Sequence, residues 1–192
     1  MKPIRVETSA RHIHLSAADL EKLCGKGYEL PFKRELSQPG QYVSDLRLDV
    51  VGPKGTMKNV VVLGPLRSAT QVEVSATDAR ALGIKPPVRE SGDIKGSTPI
   101  LLKSATSEIT IPEGVIIAKR HIHMSPSEAE LFGVKDKQVV AVKVKSDTRS
   151  LIFGDVIIRV RADFGLTMHI DTDEANAAGL NGEGYGELIT KL

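Results

Sequence analysis

Arg11-His12-Ile13-His14-Leu15-Ser16 and Arg120-His121-Ile122-His123-Met124-Ser125 are two near-copies of one hexapeptide, one in each half of a 192-residue chain. In a β-strand residues i and i+2 point to the same face. Each His-Ile-His therefore aims two imidazoles one way and anchors the strand with an isoleucine on the other side. The chain has five histidines. Four lie in these two copies, and the fifth stands in Thr167-Met168-His169-Ile170.

A second echo pairs the segment from Gln71 to Gly83 with that from Thr167 to Gly179, and sets Glu73 opposite His169. Each half thus offers two histidines and one further metal-competent side chain. The simplest partition puts His12, His14 and Glu73 on one ion and His121, His123 and His169 on another. Glu73 also fits a general base or a solvated strand residue; its register with His169 favours the ligand role. Imidazole with carboxylate suits zinc, and three protein ligands leave a position open for chemistry. The ligand types leave iron and manganese open, and repeat symmetry alone could preserve such strands for structure.

Working outward, one local pattern recurs four times. A β-type segment carries the candidate ligand, and two residues later comes a helix N-cap with an acid three residues beyond. The pairs are Ser16 with Asp19, Ser75 with Asp78, Ser125 with Glu128 and Asp171 with Glu174, each the signature of a capping box. Pro126 suits a first helical position, and Gly25, Gly83, Gly133 and Gly179 follow the short helical runs. Between these units the pattern is strand. It covers Arg47 to Val51 and Asn59 to Leu63 around the turn Gly52-Pro53-Lys54-Gly55, then Gln138 to Val144 and Val156 to Val160. Short strands at this spacing predict barrels or sandwiches with small appended helices. Residues Lys85 to Pro99, rich in Pro, Gly and charge, read as a loop over the site.

Hydrophobic residues make up 41% of the chain and charged residues 26%, which excludes neither one large domain nor two small ones and fits a globular protein. A net charge of +2, without a dense basic run, argues against a nucleic-acid binder and still suits an anionic small molecule. Cys24 is the sole cysteine, so no internal disulfide exists and a reducing compartment is expected. It shares a helical face with Leu20 and Leu23 and reads as a buried thiol, not a nucleophile. No segment approaches the roughly 18 apolar residues of a membrane span, and Met1 to Val6 lack a signal-peptide core; the expectation is a cytoplasmic protein. Arg67, six residues before Glu73, offers a fork for phosphate or carboxylate, or a surface ion pair. Arg11 and Arg120 fall on the strand face opposite the imidazoles and read as structural or peripheral. Lys54 reads as a solvated turn lysine or a contact to a ligand phosphate.

Across nearly the whole chain these motifs resemble the phosphotransacylases of the phosphate propanoyltransferase (PduL) type. The carriers are Ser9-Ala-Arg-His-Ile-His-Leu-Ser16, Gly52-Pro-Lys-Gly55, Leu63-Gly-Pro-Leu-Arg67, Gln71-Val-Glu-Val-Ser75, Lys119-Arg-His-Ile-His-Met-Ser125 and Met168-His-Ile-Asp-Thr-Asp-Glu-Ala-Asn176. The resemblance implies a mainly β fold with short helices: two β-barrel domains related by an internal repeat, with strand exchange between the halves. One barrel would take residues 11–118 and the other 1–10 with 119–192, with the active site between them. It implies two zinc ions on the two trios above, Arg67 as the phosphate-binding catalytic residue, and coenzyme A contacts near Thr8, Ser9, Arg47, Lys54 and Asn176. The implied reaction interconverts acetyl- or propanoyl-CoA plus phosphate with acyl phosphate plus CoA. The partners are then small molecules, with neither nucleic acid nor membrane, and a homodimer among the forms considered. Only ten residues precede Arg11, so the N-terminal extension that directs some members into a bacterial microcompartment is not expected. No covalent acyl-enzyme is expected either. Two other readings share the ligands: a zinc-dependent hydrolase of a thioester, ester or acyl phosphate, and a structural zinc-binding assembly protein.

Overall fold

From the N-terminus the chain runs β1 (Ile4–Thr8), β2 (His12–Ser16), α1 (Ala17–Cys24), β3 (Phe32–Glu35), β4 (Tyr42–Val51), β5 (Thr56–Arg67), β6 (Gln71–Glu73), α2 (Ala76–Leu82) and β7 (Val88–Arg89). It continues with β8 (Thr98–Lys103), β9 (Glu108–Ala118), β10 (His121–Met124), α3 (Pro126–Phe132), β11 (Val139–Val144), β12 (Leu151–Val160), β13 (Thr167–Ile170), α4 (Thr172–Ala177) and β14 (Glu183–Ile189). This is a computed structural model, and it describes residues 3–189. Two units divide them: one holds 3–9, 37–39 and 119–189, the other Ala10–Leu36 and Gly40–Ala118.

Each unit is a closed six-stranded barrel. In the first, the order is β1-β13-β10-β12-β11-β14, with β14 pairing back to β1. In the second, β4-β5-β2-β6-β9-β8 closes through pairing of β8 with β4, while β3 and β7 extend it alongside β4 and β9. Strand directions match between the two. The His-x-His strand is antiparallel to the strand carrying the third candidate ligand, β6 or β13, and parallel to a long strand, β5 or β12. The strand preceding each His-x-His pair lies in the barrel of the other pair: β1 with β10, β9 with β2. Closure leaves the six strands of each barrel without an open edge, and only the short β3 and β7 outside the ring pair on one side.

The alternation in the hexapeptides decides which way the imidazoles face. Ile13 and Ile122 are fully buried in two separate apolar cores, the first with Leu15, Val62, Val72 and Leu102, the second with Val142, Ile158 and Met168. Burying such a side chain is worth roughly 1.5–3 kcal/mol, so a register slip of one residue that exchanged isoleucine for histidine is strongly disfavoured. The histidines consequently stand on the outer faces of their barrels and are nevertheless buried.

All four helices begin at the expected caps. Three have both halves of the capping box. At α1 the Ser16 hydroxyl accepts from the Asp19 amide, but Ser16's own amide donates to Thr70 Oγ1 (3.0 Å), which in turn donates to Asp19 Oδ2 (2.7 Å). Thr70 has taken the place of the reciprocal bond. The segment 85–99 is not wholly loop, because Val88–Arg89 pairs with β9 and β8 begins at Thr98. Strand β9 escapes a pattern reading because Pro112 and Gly114 interrupt it, the glycine at φ +144°. The Gly52-Pro53-Lys54-Gly55 turn packs on the end of α2: Lys54 N–H donates to the Leu82 carbonyl (3.0 Å), and a Cβ on Gly52 would lie 2.3 Å from that oxygen.

Candidate functional site

In the second barrel, β2 and β6 pair with His12 directly opposite Glu73 and His14 opposite Gln71. Directly opposed side chains in an antiparallel pair start about 4.5–5.5 Å apart at Cβ, so these three candidate ligands converge. His12, His14 and Glu73 are buried, and their donor atoms all lie within 4.8 Å of one another. This is the one such grouping among the described residues. His12 Nε2 stands 3.5 Å from Glu73 Oε2, and the two imidazoles meet edge-on with ring centres 4.9 Å apart.

The backbone selects the nitrogen that each ring presents. His12 Nδ1 is bonded to the Ala10 carbonyl (2.9 Å), which turns Nε2 toward Glu73. His14 Nδ1 is buried without a hydrogen-bond partner, while its ring bonds the backbone at Leu63. A buried imidazole nitrogen with no partner costs free energy, and a metal ion would satisfy it. Rings whose second nitrogen is tied to a carbonyl are the usual arrangement of ligating histidines.

Electrostatics follow from burial and proximity. Burial by itself would raise the Glu73 carboxyl, but His12 and His14, with hydrogen bonds from His12 and Ser91, hold it far below the usual carboxylate range. Burial opposes charging His12, and the Glu73 carboxylate outweighs it, leaving that imidazole above its ordinary value. His14 is pushed well down by burial, then by His12 and Arg67. The carboxylate is thus ionised and His14 neutral, the states a metal ligand requires.

Arg67 ends β5, in register with Ser16, and its Nη1 donates to Ser91 Oγ (3.1 Å). Ser91 and Gly92 belong to the segment 85–99, so this segment does reach the ligand cluster. Gln71 completes the set. Its Nε2 donates to Glu73 Oε1 (2.6 Å) and to Ser91 Oγ (3.0 Å), while its Oε1 accepts from the Gly92 amide (2.7 Å). Sequence reasoning assigned no role to Gln71 or Ser91. Gln71 was legible, since it is two residues before Glu73 and so shares its strand face; Ser91 carries no local signal.

The first barrel repeats the scheme with a histidine in place of the carboxylate. His121 lies opposite His169 and His123 opposite Thr167. His121 Nδ1 bonds the Lys119 carbonyl (2.8 Å), and His123 Nδ1 is buried without a hydrogen-bond partner, as at His12 and His14. Ring centres in this trio are 4.6, 5.0 and 5.3 Å apart. Burial, together with His121, His169, Arg159 and Arg161, lowers the His123 pKa to about 2. Its ring packs on Phe164 at 4.1 Å between centres, and both arginines lie over that phenyl ring.

Arg11 and Arg120 are structural in both barrels. Each binds the acid of the capping box that follows the third-ligand strand, Arg11 with Asp78 (2.7 Å) and Arg120 with Glu174 (2.8 Å). These bonds tie the start of the His-x-His strand to the helix behind the third ligand. The remaining candidates divide between the units. Arg47 on β4 is abreast of Val61, itself abreast of His12, and its guanidinium donates to the carbonyls of Ser44 and Leu46. Lys54 is in the turn against α2. In the other unit, Thr8 ends β1 and Ser9 follows it, with Ser9 N–H on the Ile170 carbonyl (2.8 Å) and Thr8 Oγ1 buried without a hydrogen-bond partner. Asn176 lies in α4, its carbonyl accepting from Arg149 (3.3 Å).

Comparison with known proteins shows what the chain is similar to. A family profile described as phosphate propanoyltransferase matches residues 5–181. A protein of that name from Thermotoga maritima is 57% identical over 186 residues, covering 97% of this chain and 87% of the relative. Proteins of the same name from Listeria monocytogenes (53% over 188 residues; 98% and 88% covered) and Salmonella typhimurium (51% over 189 residues; 98% and 90% covered) are similar over the same extent.

Proposed function

The chain belongs to the phosphate propanoyltransferase family and is an enzyme of the phosphotransacylase class, and on that footing we propose that it exchanges acetyl or propanoyl groups between CoA and phosphate with two bound zinc ions. The observation that carries the proposal is the junction at Ser91 and Gln71, which links a buried two-histidine, one-carboxylate cluster to the Arg67 guanidinium. His12, His14 and Glu73 would hold one ion, and His121, His123 and His169 the other. The donor sets fit: three protein ligands each, no cysteine, and buried nitrogens already turned by their second hydrogen bonds. Zinc bound there would supply a Lewis acid for the acyl carbonyl and a site where a thiolate is favoured over a thiol.

In the reaction a phosphate oxygen attacks the thioester carbonyl, the carbon–sulfur bond breaks, and the proton of hydrogen phosphate ends on the CoA sulfur. Arg67 binds and orients phosphate through its planar fork. Thr8, Ser9, Arg47, Lys54 and Asn176 are proposed to contact CoA; for Thr8 the support is a buried hydroxyl without a hydrogen-bond partner. Transfer is direct. Cys24 is packed against the apolar core and burial raises its thiol pKa, so it holds little thiolate at neutral pH. Among the described residues no helix is long and apolar enough to cross a membrane.

The test is CoA release from acetyl-CoA and propanoyl-CoA by the zinc-loaded protein, with and without phosphate. Release that requires phosphate, with acyl phosphate formed in equal amount, is expected. Equal release without phosphate would show a thioesterase. Full turnover by protein shown to be free of transition metal would remove the zinc assignment.

A further inference from the structure

Ser91 is a single hydroxyl with both acceptor positions in use. It accepts from Arg67 Nη1 (3.1 Å) and from Gln71 Nε2 (3.0 Å), and the same Gln71 nitrogen donates to Glu73 Oε1 (2.6 Å). One donor and two acceptor positions are all that a serine has. Gln71 is held at both ends of its amide, with both amide protons given to Glu73 and Ser91 and its carbonyl accepting from Gly92 N–H. That fixes its orientation, since a flipped amide would set oxygen against the carboxylate and N–H against N–H. The hydroxyl is therefore held from two sides, and it comes from a segment remote in sequence from both β5 and β6.

We infer that Ser91 is a positioning residue for phosphate: it aims the Arg67 guanidinium, with Gln71 as the brace that keeps the hydroxyl in place and joins it to the Glu73 carboxylate. The inference rests on Arg67 being the phosphate-binding residue. A guanidinium ends a long flexible side chain, and its value for a planar anion lies in presenting the fork at a set angle. The hydroxyl, shared by Arg67 and Gln71, ties that angle through Gln71 to the position of the carboxylate, so that phosphate and the candidate ligand cluster keep a constant relation.

The test uses the zinc-loaded full-length protein and inorganic phosphate as the probe, by calorimetry without acyl-CoA and by steady-state kinetics. Ser91→Ala should weaken phosphate binding and raise the phosphate KM about tenfold, the size expected for one hydrogen bond to a charged group. The acyl-CoA KM and the metal content should stay as in the parent. Ser91→Thr, which keeps the hydroxyl, should recover phosphate affinity. In an Arg67→Ala background Ser91→Ala should add nothing, because the residue acts through the arginine. If Arg67→Ala weakens phosphate binding and Ser91→Ala does not, this inference is wrong and the role of Arg67 stands. Should Arg67→Ala itself leave phosphate binding intact, the reading of Arg67 fails. Loss of metal and of acyl-CoA affinity in step with phosphate affinity in Ser91→Ala would show a general structural role and overturn the inference.

Discussion

Replacing Gln71 by leucine should weaken the proposed metal site at His12, His14 and Glu73 and leave the proposed second site alone. Gln71 is buried, and leucine conserves its bulk, so the substitution removes hydrogen bonds with little change in packing. The bond at stake is the 2.6 Å contact from Nε2 to Glu73 Oε1, which orients the carboxylate so that Oε2 faces His12. A hydrogen bond to a charged group contributes roughly 1.5–3 kcal/mol, and about 1.4 kcal/mol is tenfold in affinity. Zinc should therefore bind the His12, His14 and Glu73 site roughly tenfold to a hundredfold more weakly, the span typical of lost outer-sphere partners of a ligand. The bonds of Gln71 go to Glu73, Ser91 and Gly92, all in its own unit, so the proposed second site should keep its affinity. The assay is competitive zinc titration of metal-stripped protein against a chromogenic chelator, with thermal unfolding as a check on folding. Separation of one binding step from the other is expected. A titration like that of the parent, or equal weakening of both steps, would refute the argument that Gln71 orients Glu73.

Other consequences are open to simpler measurement. A methyl group on Gly64 would sit 2.1 Å from Tyr42 Cζ, so Gly64→Ala should cost about 1–3 kcal/mol of stability in thermal unfolding; as Gly64 leads into Arg67, the phosphate KM should rise with it. Asp78→Ala removes one half of the α2 capping box and the partner of Arg11; a loss of about 0.5–2 kcal/mol is expected from the cap, with little added by the half-exposed arginine. Burial would raise the Asp19 carboxyl, yet bonds from Thr70, Lys22 and Ser16 hold it below its ordinary 3.8. Its contribution is thus present at neutral pH and lost as pH falls below about 4, so Asp19→Asn should flatten that acid limb of the stability curve; an unchanged limb would count against the bonds. Exhaustive chelation should abolish phosphate-dependent CoA release, and zinc should restore it.

Much of the site was legible because its residues are local. The i, i+2 spacing of His12 with His14, and of His121 with His123, needs only strand geometry to place both rings on one face. The capping boxes made the helix starts readable, and the echo of Glu73 with His169 proved to be a shared register position, each opposite the first histidine of its pair. Strand β9 was hidden by Pro112 and Gly114, and part of a segment that reads as loop pairs as β7. Thr70 in the α1 cap and Ser91 beside Arg67 could not be read at all, because each meets its partners only after distant segments have folded together.

From sequence alone follow the duplicated imidazole pairs, the mainly β character with four capped helices, and the family, since these depend on spacing and residue type. Tertiary structure alone decided how the strands close into barrels, which nitrogen each imidazole presents, and that Gln71 and Ser91 join Glu73 to Arg67. The physical reason is that hydrogen bonds are made over a few ångströms and with set directions, and residues far apart in sequence reach that range and alignment only once the chain has packed.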